Sequence, residues 1–204
     1  MSATGAPPAA RAATRAMARA LRRSLTSGER ARHAARITTW ISTCGWLRAG
    51  RRIGLYAAIT PEVATAALLK LALNRGCQVW LPRIVDYDER RMVMCRYRGG
   101  PLRRNRYGIG EPPAREILDA RRLDVLLVPT LAFDDRGVRL GAGLGYYDRL
   151  LKWRLDPATR PPPLLVGLAF ACTRHPALAA APHDVPLDVI VTESGLYRPG
   201  AASE

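Results

Sequence analysis

The sequence contains no apolar run approaching the roughly 20 residues that a membrane-spanning helix requires. It also contains no C-x-x-C pair, and its four cysteines are widely scattered (Cys44, Cys77, Cys95 and Cys172). These absences exclude a zinc site built on paired cysteines and a disulfide framework, and they favour reduced thiols. We therefore expect a cytoplasmic protein with no membrane partner.

Lysine is nearly absent and acidic residues are scarce. Lys70 and Lys152 are the only lysines, so 30 of the 32 basic residues are arginine, and with 17 acids the net charge is +15. Such an excess suits a nucleic-acid partner. The alternative is a general bias toward Ala, Arg, Pro and Gly. We favour the bias, because the arginines are dispersed and no basic stripe interleaved with aromatic residues appears.

The first 28 residues contain no acid, a composition that also resembles a transit peptide. Residues 9–23 have no helix breaker and predict a helix. Thr26 and Glu29 form a capping-box pattern that starts a second helix through residue 43. With 204 residues and 48% hydrophobic content, we expect one domain over residues 9–198, a disordered tail over 1–8 and a second tail over 199–204.

Strand-like and helix-like segments alternate along the rest of the chain. The pattern predicts helices at residues 60–74, 114–119 and 144–153, and strands at 52–57, 78–81, 91–97, 123–129, 164–169 and 189–191. The proposed helix at 60–74 begins with Thr60 as N-cap and Pro61 as first residue. This alternation predicts a three-layer α/β fold, with a mostly parallel sheet flanked by helices and a small β-hairpin addition.

The segment RLGAGLGYYDR, residues 139–149, is the most informative motif. Gly141, Gly143 and Gly145 leave the backbone uncovered just before a helix-like run. A glycine-rich turn that leads into a helix is suited to anions, because free N–H groups point outward there. Arg139 suits a phosphate and Asp148 suits a divalent metal. The motif is thus a candidate nucleotide-phosphate site, although Gly-x-Gly-x-Gly alone also fits a flexible surface turn and is not a Walker A loop.

This motif and its surroundings resemble the signature of the 5-formyltetrahydrofolate cyclo-ligase family. The resemblance extends from about Arg11 to Tyr197. Six segments match in the family's order: RAATRAMARALRRSLTSGERARHA, LYAAITPEVAT, LPRIVDYDERRMVMCRY, NRYGIGEP, LLVPTLAFDDRGVRLGAGLGYYDRLL and PHDVPLDVIVTE. The order makes the likeness far more specific than any single match.

The resemblance implies a reaction. The family converts 5-formyltetrahydrofolate and ATP into 5,10-methenyltetrahydrofolate, ADP and phosphate, with Mg²⁺. The formyl oxygen is phosphorylated and the neighbouring N10 then closes the ring. No nucleophilic side chain is required, and we assign no residue as nucleophile or base. The expected partners are folate and ATP, and the expected state is a monomer.

The resemblance also implies site residues. ATP would contact the basic pair on the first helix and the glycine loop: Arg11, Arg15, Arg139, Leu140, Gly141, Ala142, Gly143, Leu144, Gly145, Tyr146 and Tyr147. Folate would contact Ala57, Glu62 and Tyr107. Mg²⁺ would be held by Asp148 and Asp188.

Each of these assignments has a simpler alternative. Arg11 and Arg15 share one helix face, which could equally be a solvated arginine face. Glu62 could be a first-turn glutamate favoured by the helix dipole. Tyr107 could be a core or loop tyrosine, and Asp188 a turn residue before a strand. Of the two tyrosines after the glycines, one would face a substrate and the other the core.

Ala142 and Leu144 depart from the usual family pattern, in which basic, aromatic or small residues are common and glycine or lysine is frequent at the second position. A leucine cannot replace a phosphate-binding lysine, and in place of glycine it adds a Cβ where backbone should approach phosphate. The alternative hypothesis is therefore a family-like paralogue that binds folate or nucleotide with weak or altered activity.

Overall fold

The computed structural model describes residues 8–156 and 163–200. The helices are α1 (Pro8–Ser24), α2 (Ser27–Thr43), α3 (Ala66–Asn74) and α4 (Tyr146–Leu150). The strands are β1 (Arg52–Gly54), β2 (Gln78–Asp86), β3 (Arg91–Tyr97), β4 (Arg103–Arg104), β5 (Gly110–Glu111), β6 (Ile117–Leu118), β7 (Val125–Pro129), β8 (Ala132–Phe133), β9 (Arg139–Leu140), β10 (Leu164–Leu168), β11 (Val189–Thr192) and β12 (Gly195–Tyr197).

Eight strands form one mixed sheet in the order β12-β11-β10-β7-β1-β2-β3-β6. The five central strands, from β11 to β2, are mutually parallel, whereas β12, β3 and β6 join antiparallel at the two edges. Two small ribbons, β4-β5 and β8-β9, stand apart from this sheet. The predicted α/β fold with a mostly parallel sheet and a hairpin addition is confirmed.

Successive side chains along a strand point to opposite faces of the sheet and so belong to two different hydrophobic cores. In β7, Val125 and Leu127 belong to the core beneath α2 and α3, while Leu126 and Val128 belong to the core on the opposite face. All four side chains are at most 1% exposed. A strand buried on both faces reads as a continuous apolar run, which is why this one was recognisable in the sequence.

The two N-terminal helices are confirmed. Thr26 and Glu29 form the predicted capping box, in which the Glu29 N–H donates to Thr26 Oγ1 at 3.2 Å and the Thr26 N–H donates to Glu29 Oε2 at 2.7 Å. Helix α1 lies at the carboxyl end of the sheet, where Ala18 packs against Leu131 and Leu140. Residues 1–7 and 201–204, on which the predicted tails mostly fall, lie outside the described residues.

The predicted helix at residues 60–74 is wrong in its first part. The helix begins only at Ala66, and Thr60–Pro61 is a cis peptide within a turn region. Thr65 explains the late start: its hydroxyl donates to the Tyr56 carbonyl at 2.5 Å and accepts the Ala58 N–H at 3.3 Å. These bonds hold residues 56–65 as a loop, so Glu62 is not a first-turn helical residue.

Other boundaries also differ from the prediction. Residues 117–118 form an edge strand paired with Met94 and Cys95 rather than part of a helix, and a short 3₁₀ turn follows at Ala120–Arg122. Strand β1 ends at Gly54, earlier than predicted, whereas β2 continues to Asp86 because it pairs with β3 in a long hairpin. Tertiary pairing here outweighs local propensity.

Candidate active site

A cleft of about 390 Å³ opens at the carboxyl end of the parallel strands. Its walls come from α1, the loop after β1, the β2–β3 hairpin, the loop after β7 and the glycine loop that leads into α4. Ligands in open α/β sheets typically bind at this edge. A broader depression of about 570 Å³ at the opposite edge contains none of the residues predicted from the sequence to form a site.

Most of the predicted site residues meet in this cleft. Its lining includes Arg11, Arg15, Ala57, Glu62, Arg139, Gly141, Ala142, Gly143, Leu144, Gly145, Tyr146, Tyr147 and Asp148. Leu140 does not belong to the lining, because its side chain is 2% exposed and packs in the core against Ala18. The predicted contact of Leu140 with a nucleotide stays a prediction, and its side chain faces the core.

The glycine loop is attached to α1 by arginine side chains. Arg15 Nε donates to the Gly141 carbonyl at 3.2 Å, and an Nη group of Arg19 donates to the Ala142 carbonyl at 2.9 Å. Gly143 has φ of 107°, a conformation that side chains disfavour, and a Cβ added there would lie 3.6 Å from Arg15 Nε. The two loop carbonyls thus point toward α1, and the first helix fixes the shape of the loop.

Two acid–arginine pairs line the same cleft. Asp148, in the first turn of α4, contacts the buried Arg139 guanidinium. Asp184 accepts two hydrogen bonds from Arg11, at 2.5 and 2.9 Å. Burial alone raises the pKa of Asp184, but hydrogen bonds from Arg11 and from the Ala181 N–H outweigh it, so the pKa lies below its usual value. Each of the two carboxylates is therefore held beside an arginine.

Two further carboxylates, those of Glu62 and Glu111, line the far side of the cleft. Glu62 Oε2 accepts the Ile59 N–H at 3.1 Å, and burial raises the pKa of Glu62 above its usual value. Glu111 Oε1 accepts the Ile84 N–H at 2.9 Å and the Asn105 side-chain amide at 2.8 Å. These acids have no arginine within ion-pair distance among the described residues, so they face the cleft able to accept further donors.

The two tyrosines after the glycine loop both line the cleft, and Tyr147 also packs against the hydrophobic core. The buried Tyr147 hydroxyl has no hydrogen-bond partner among the described residues, and burial raises its pKa. Tyr107 does not line the cleft. Its ring stands edge-on to Tyr146 at 6.4 Å and beside Tyr87 at 5.7 Å, with the Arg106 guanidinium 3.7 Å from the Tyr87 ring. Tyr107 belongs to the outer wall behind Tyr146.

Asp188 is not among the residues that line the cleft, so the structure does not bring this predicted metal ligand together with Asp148. Asp188 precedes β11 at the amino end of the sheet, where it pairs with Arg154 at 2.8 Å and accepts the Leu165 N–H at 2.7 Å. The sequence PHDVPLDV contains two aspartates four residues apart, and the structure places the first of them, Asp184, in the cleft.

The cleft also includes residues that the sequence analysis did not single out. Besides Asp184 and Glu111, they include Arg19, Arg22 and Thr130. The arginines carried a usable signal, because positions 11, 15, 19 and 22 repeat at helical spacing along one face of α1.

Two features are absent from the described residues. No helix among them is long and apolar enough to cross a membrane. No three of their His, Cys, Asp and Glu side chains group as a ready-made metal site. A metal in the described part of the cleft would therefore need ligands from a substrate as well as from the protein.

Comparisons with known proteins agree with one another. The profile of the 5-formyltetrahydrofolate cyclo-ligase family matches residues 8–193. The 5-formyltetrahydrofolate cyclo-ligase of Haemophilus influenzae is 34% identical over 148 residues, covering 71% of this chain and 77% of that protein. The enzyme of the same name from Escherichia coli is 32% identical over 149 residues, covering 72% and 80%.

Solved structures give the same result. The 5,10-methenyltetrahydrofolate synthetase of Aquifex aeolicus superposes with a TM-score of 0.80 at 28% identity, covering 95% of both chains. The synthetase of Mycoplasma pneumoniae superposes with a TM-score of 0.68 at 21% identity, covering 90% of this chain and 98% of that one, which supports the fold. From the match over residues 8–193, the chain belongs to the 5-formyltetrahydrofolate cyclo-ligase family.

Proposed function

We propose that this protein converts 5-formyltetrahydrofolate and ATP into 5,10-methenyltetrahydrofolate, ADP and phosphate. The observation that carries the proposal is one cleft with two chemically different halves. Arginines and the glycine loop form the half suited to phosphates, and Glu62 and Glu111 form the half suited to a ligand with N–H donors. A reaction between a nucleotide and a nitrogen heterocycle requires both halves side by side.

On the nucleotide side, the glycine loop and α1 bind the phosphates of ATP. Arg15 and Arg19 each use an N–H group to hold a loop carbonyl, which orients both guanidinium groups into the cleft. Gly143 and Gly145 themselves carry no Cβ that would keep a phosphate away. These groups position the terminal phosphate and offset its negative charge.

On the folate side, Glu62 and Glu111 accept hydrogen bonds from pterin N–H groups, and Ala57 leaves room for the ring. Backbone N–H groups already fix one oxygen of each carboxylate, at Ile59 for Glu62 and at Ile84 for Glu111. Fixed carboxylates lose little freedom when the ligand binds, which favours a single orientation of the substrate.

The chemistry then needs positioning more than proton transfer. The formyl oxygen attacks the terminal phosphorus, the bond to the bridging oxygen breaks, and ADP leaves. N10 attacks the activated carbon, whose bond to the phosphorylated oxygen breaks, and the N10 proton departs so that hydrogen phosphate is released. The residues of the cleft hold the two substrates in line and stabilise the phosphoryl charge.

Asp148 and Asp184 are the residues that would hold magnesium. Mg²⁺ prefers oxygen ligands and is commonly bound by one or two carboxylates together with substrate phosphates and water, so two aspartates beside the phosphate half fit it. When bound, the ion would neutralise charge on the nucleotide phosphates. Ion pairs with Arg11 and Arg139 hold these carboxylates in place.

An absorbance assay tests the proposed function. Purified protein is mixed with 5-formyltetrahydrofolate and Mg²⁺, ATP is added, and the near-ultraviolet band of the methenyl product is followed. We expect the band to grow only when ATP is present. A folded protein that forms no product with both substrates would contradict the proposal and favour the alternative of a binding paralogue without turnover.

The exposed Leu144 side chain, 40% accessible on the cleft wall, offers a test of that alternative. In Leu144→Lys, a cation reaches the phosphate half, and a partly exposed charge-assisted contact of about 1 kcal/mol should lower KM for ATP about fivefold. The control is Leu155→Lys, which adds the same charge to a leucine of similar exposure outside the cleft. An unchanged KM in Leu144→Lys would show that this position does not face the phosphates.

A further inference from the structure

Four arginines follow one face of α1 and line the cleft: Arg11, Arg15, Arg19 and Arg22. At a rise of about 1.5 Å per residue, the row extends about 16 Å along the helix. The first three have protein partners on the nucleotide side, namely the Asp184 carboxylate and the carbonyls of the glycine loop. The fourth differs from them in depth and in partners.

Arg22 is buried, with 5% of its surface exposed, yet its guanidinium is largely unpaired. One Nη group donates to the Thr130 carbonyl at the end of β7. Nε has no acceptor, and no carboxylate lies within ion-pair distance among the described residues. Burial lowers the pKa of Arg22. An unpaired buried charge is costly, and it persists where a ligand supplies the missing anion.

Glu62 shows where that ligand would lie. Arg22 and Glu62 both line the cleft, and each is near enough to influence the pKa of the other, although they form no ion pair. The gap between them therefore has a cation on one side and a carboxylate on the other. A group that offers an acceptor and an N–H donor close together fits this gap. The formyl oxygen and the nearby nitrogens of the proposed folate substrate have that arrangement.

We propose that Arg22 is a catalytic residue that binds the formyl oxygen and then the phosphoryl group transferred to it. The inference rests on the proposed function. This oxygen gives up electron density as it attacks phosphorus, and it gains negative charge when ring closure breaks its bond to carbon and expels the phosphate. A desolvated guanidinium already held by the Thr130 carbonyl stabilises that charge without reorganising. The remaining arginines of the row hold the nucleotide.

The test compares Arg22→Gln with the unsubstituted enzyme in the methenyl assay. We expect kcat to fall by about 10²–10³-fold, as for loss of one preorganised donor, with KM for ATP changed less than about threefold. Added guanidinium ion should restore part of kcat, which a merely structural role would not allow. Arg36→Gln, an exposed arginine on α2, is the matched control and should keep full activity.

The outcomes separate this inference from the proposed function. If the unsubstituted enzyme is active and Arg22→Gln keeps kcat within about threefold, or guanidinium restores nothing, the role of Arg22 is overturned and the function stands. If the unsubstituted enzyme forms no product, the proposed function falls and this inference with it. Should Arg22→Gln not fold, Arg22→Lys decides, because lysine retains the positive charge but not the planar set of N–H donors of the guanidinium. A reduced kcat at unchanged KM for ATP supports the role of Arg22, and full activity overturns it.

Discussion

Replacing Asp148 with asparagine is expected to reduce methenyl formation by about 10²–10³-fold, because the phosphate half loses a carboxylate that would hold the magnesium ion, and that ion would offset phosphoryl charge during transfer. The same change leaves the Arg139 guanidinium buried, with its side chain only 3% exposed, without its carboxylate. Removing one partner of a buried pair costs about 3 kcal/mol or more. Urea unfolding and initial rates at saturating substrates measure the two effects.

A double variant separates stability from catalysis. Arg139→Met together with Asp148→Asn removes both charges, so we expect most of the lost free energy of unfolding to return while activity stays low. Recovery of activity along with stability would show that Asp148 acts only through the fold.

A pair of variants tests the proposed ligand set. Asp184→Asn should resemble Asp148→Asn in its loss of activity. Asp188→Asn should keep activity within about threefold, because that residue lies at the other end of the sheet against Arg154. The reverse pattern would contradict the placement of the carboxylates described above.

Asp134→Ala is expected to lower the free energy of unfolding by about 3–5 kcal/mol, the largest effect on stability that we predict. Asp134 is fully buried and accepts the N–H groups of Arg136, Val138 and Leu178 at 2.9–3.0 Å, as well as the Arg136 guanidinium at 2.7 Å. Without the carboxylate, these N–H groups lose their acceptor. The β8–β9 turn that leads to Arg139 loses its anchor as well.

Urea denaturation measures the loss of stability in Asp134→Ala, provided that the slope of the free energy of unfolding against denaturant concentration is unchanged. Asp134→Asn is the matched variant: it keeps one oxygen acceptor and should lose about half as much. Asp135→Ala, which removes an exposed ion pair with Arg174, should cost less than about 1 kcal/mol. Equal losses at positions 134 and 135 would show that the buried hydrogen bonds do not anchor this turn.

The sequence predicted those parts of the fold that local chemistry determines. The capping box at Thr26 and the buried run at Val125–Pro129 carry their signals within a few residues, and both were confirmed. The turn at residues 60–65 was not predictable in the same way. Thr60–Pro61 has the pattern of a helix start, but the bonds of Thr65 to Tyr56 and Ala58 decide the local structure.

The site residues divide in the same way, into those that local sequence patterns reveal and those that only the fold brings together. The glycine loop and the arginine spacing on α1 are local patterns, and their residues meet in the cleft. Asp184 and Asp188 look equivalent in the sequence. Only the sheet distinguishes them, because Asp188 directly precedes β11 at the amino end, whereas the loop before it brings Asp184 to Arg11. Arg22 likewise became notable only when its burial and missing partners were visible.

The most direct test of the central claim follows the formyl oxygen itself. The substrate is prepared with ¹⁸O in the formyl group, allowed to react with unlabelled ATP, and the released phosphate is analysed by mass spectrometry. Phosphorylation of the formyl oxygen predicts one ¹⁸O atom in each phosphate, in step with the methenyl product. Unlabelled phosphate would contradict the account, because the terminal phosphoryl group of ATP would then have passed to water rather than to the folate.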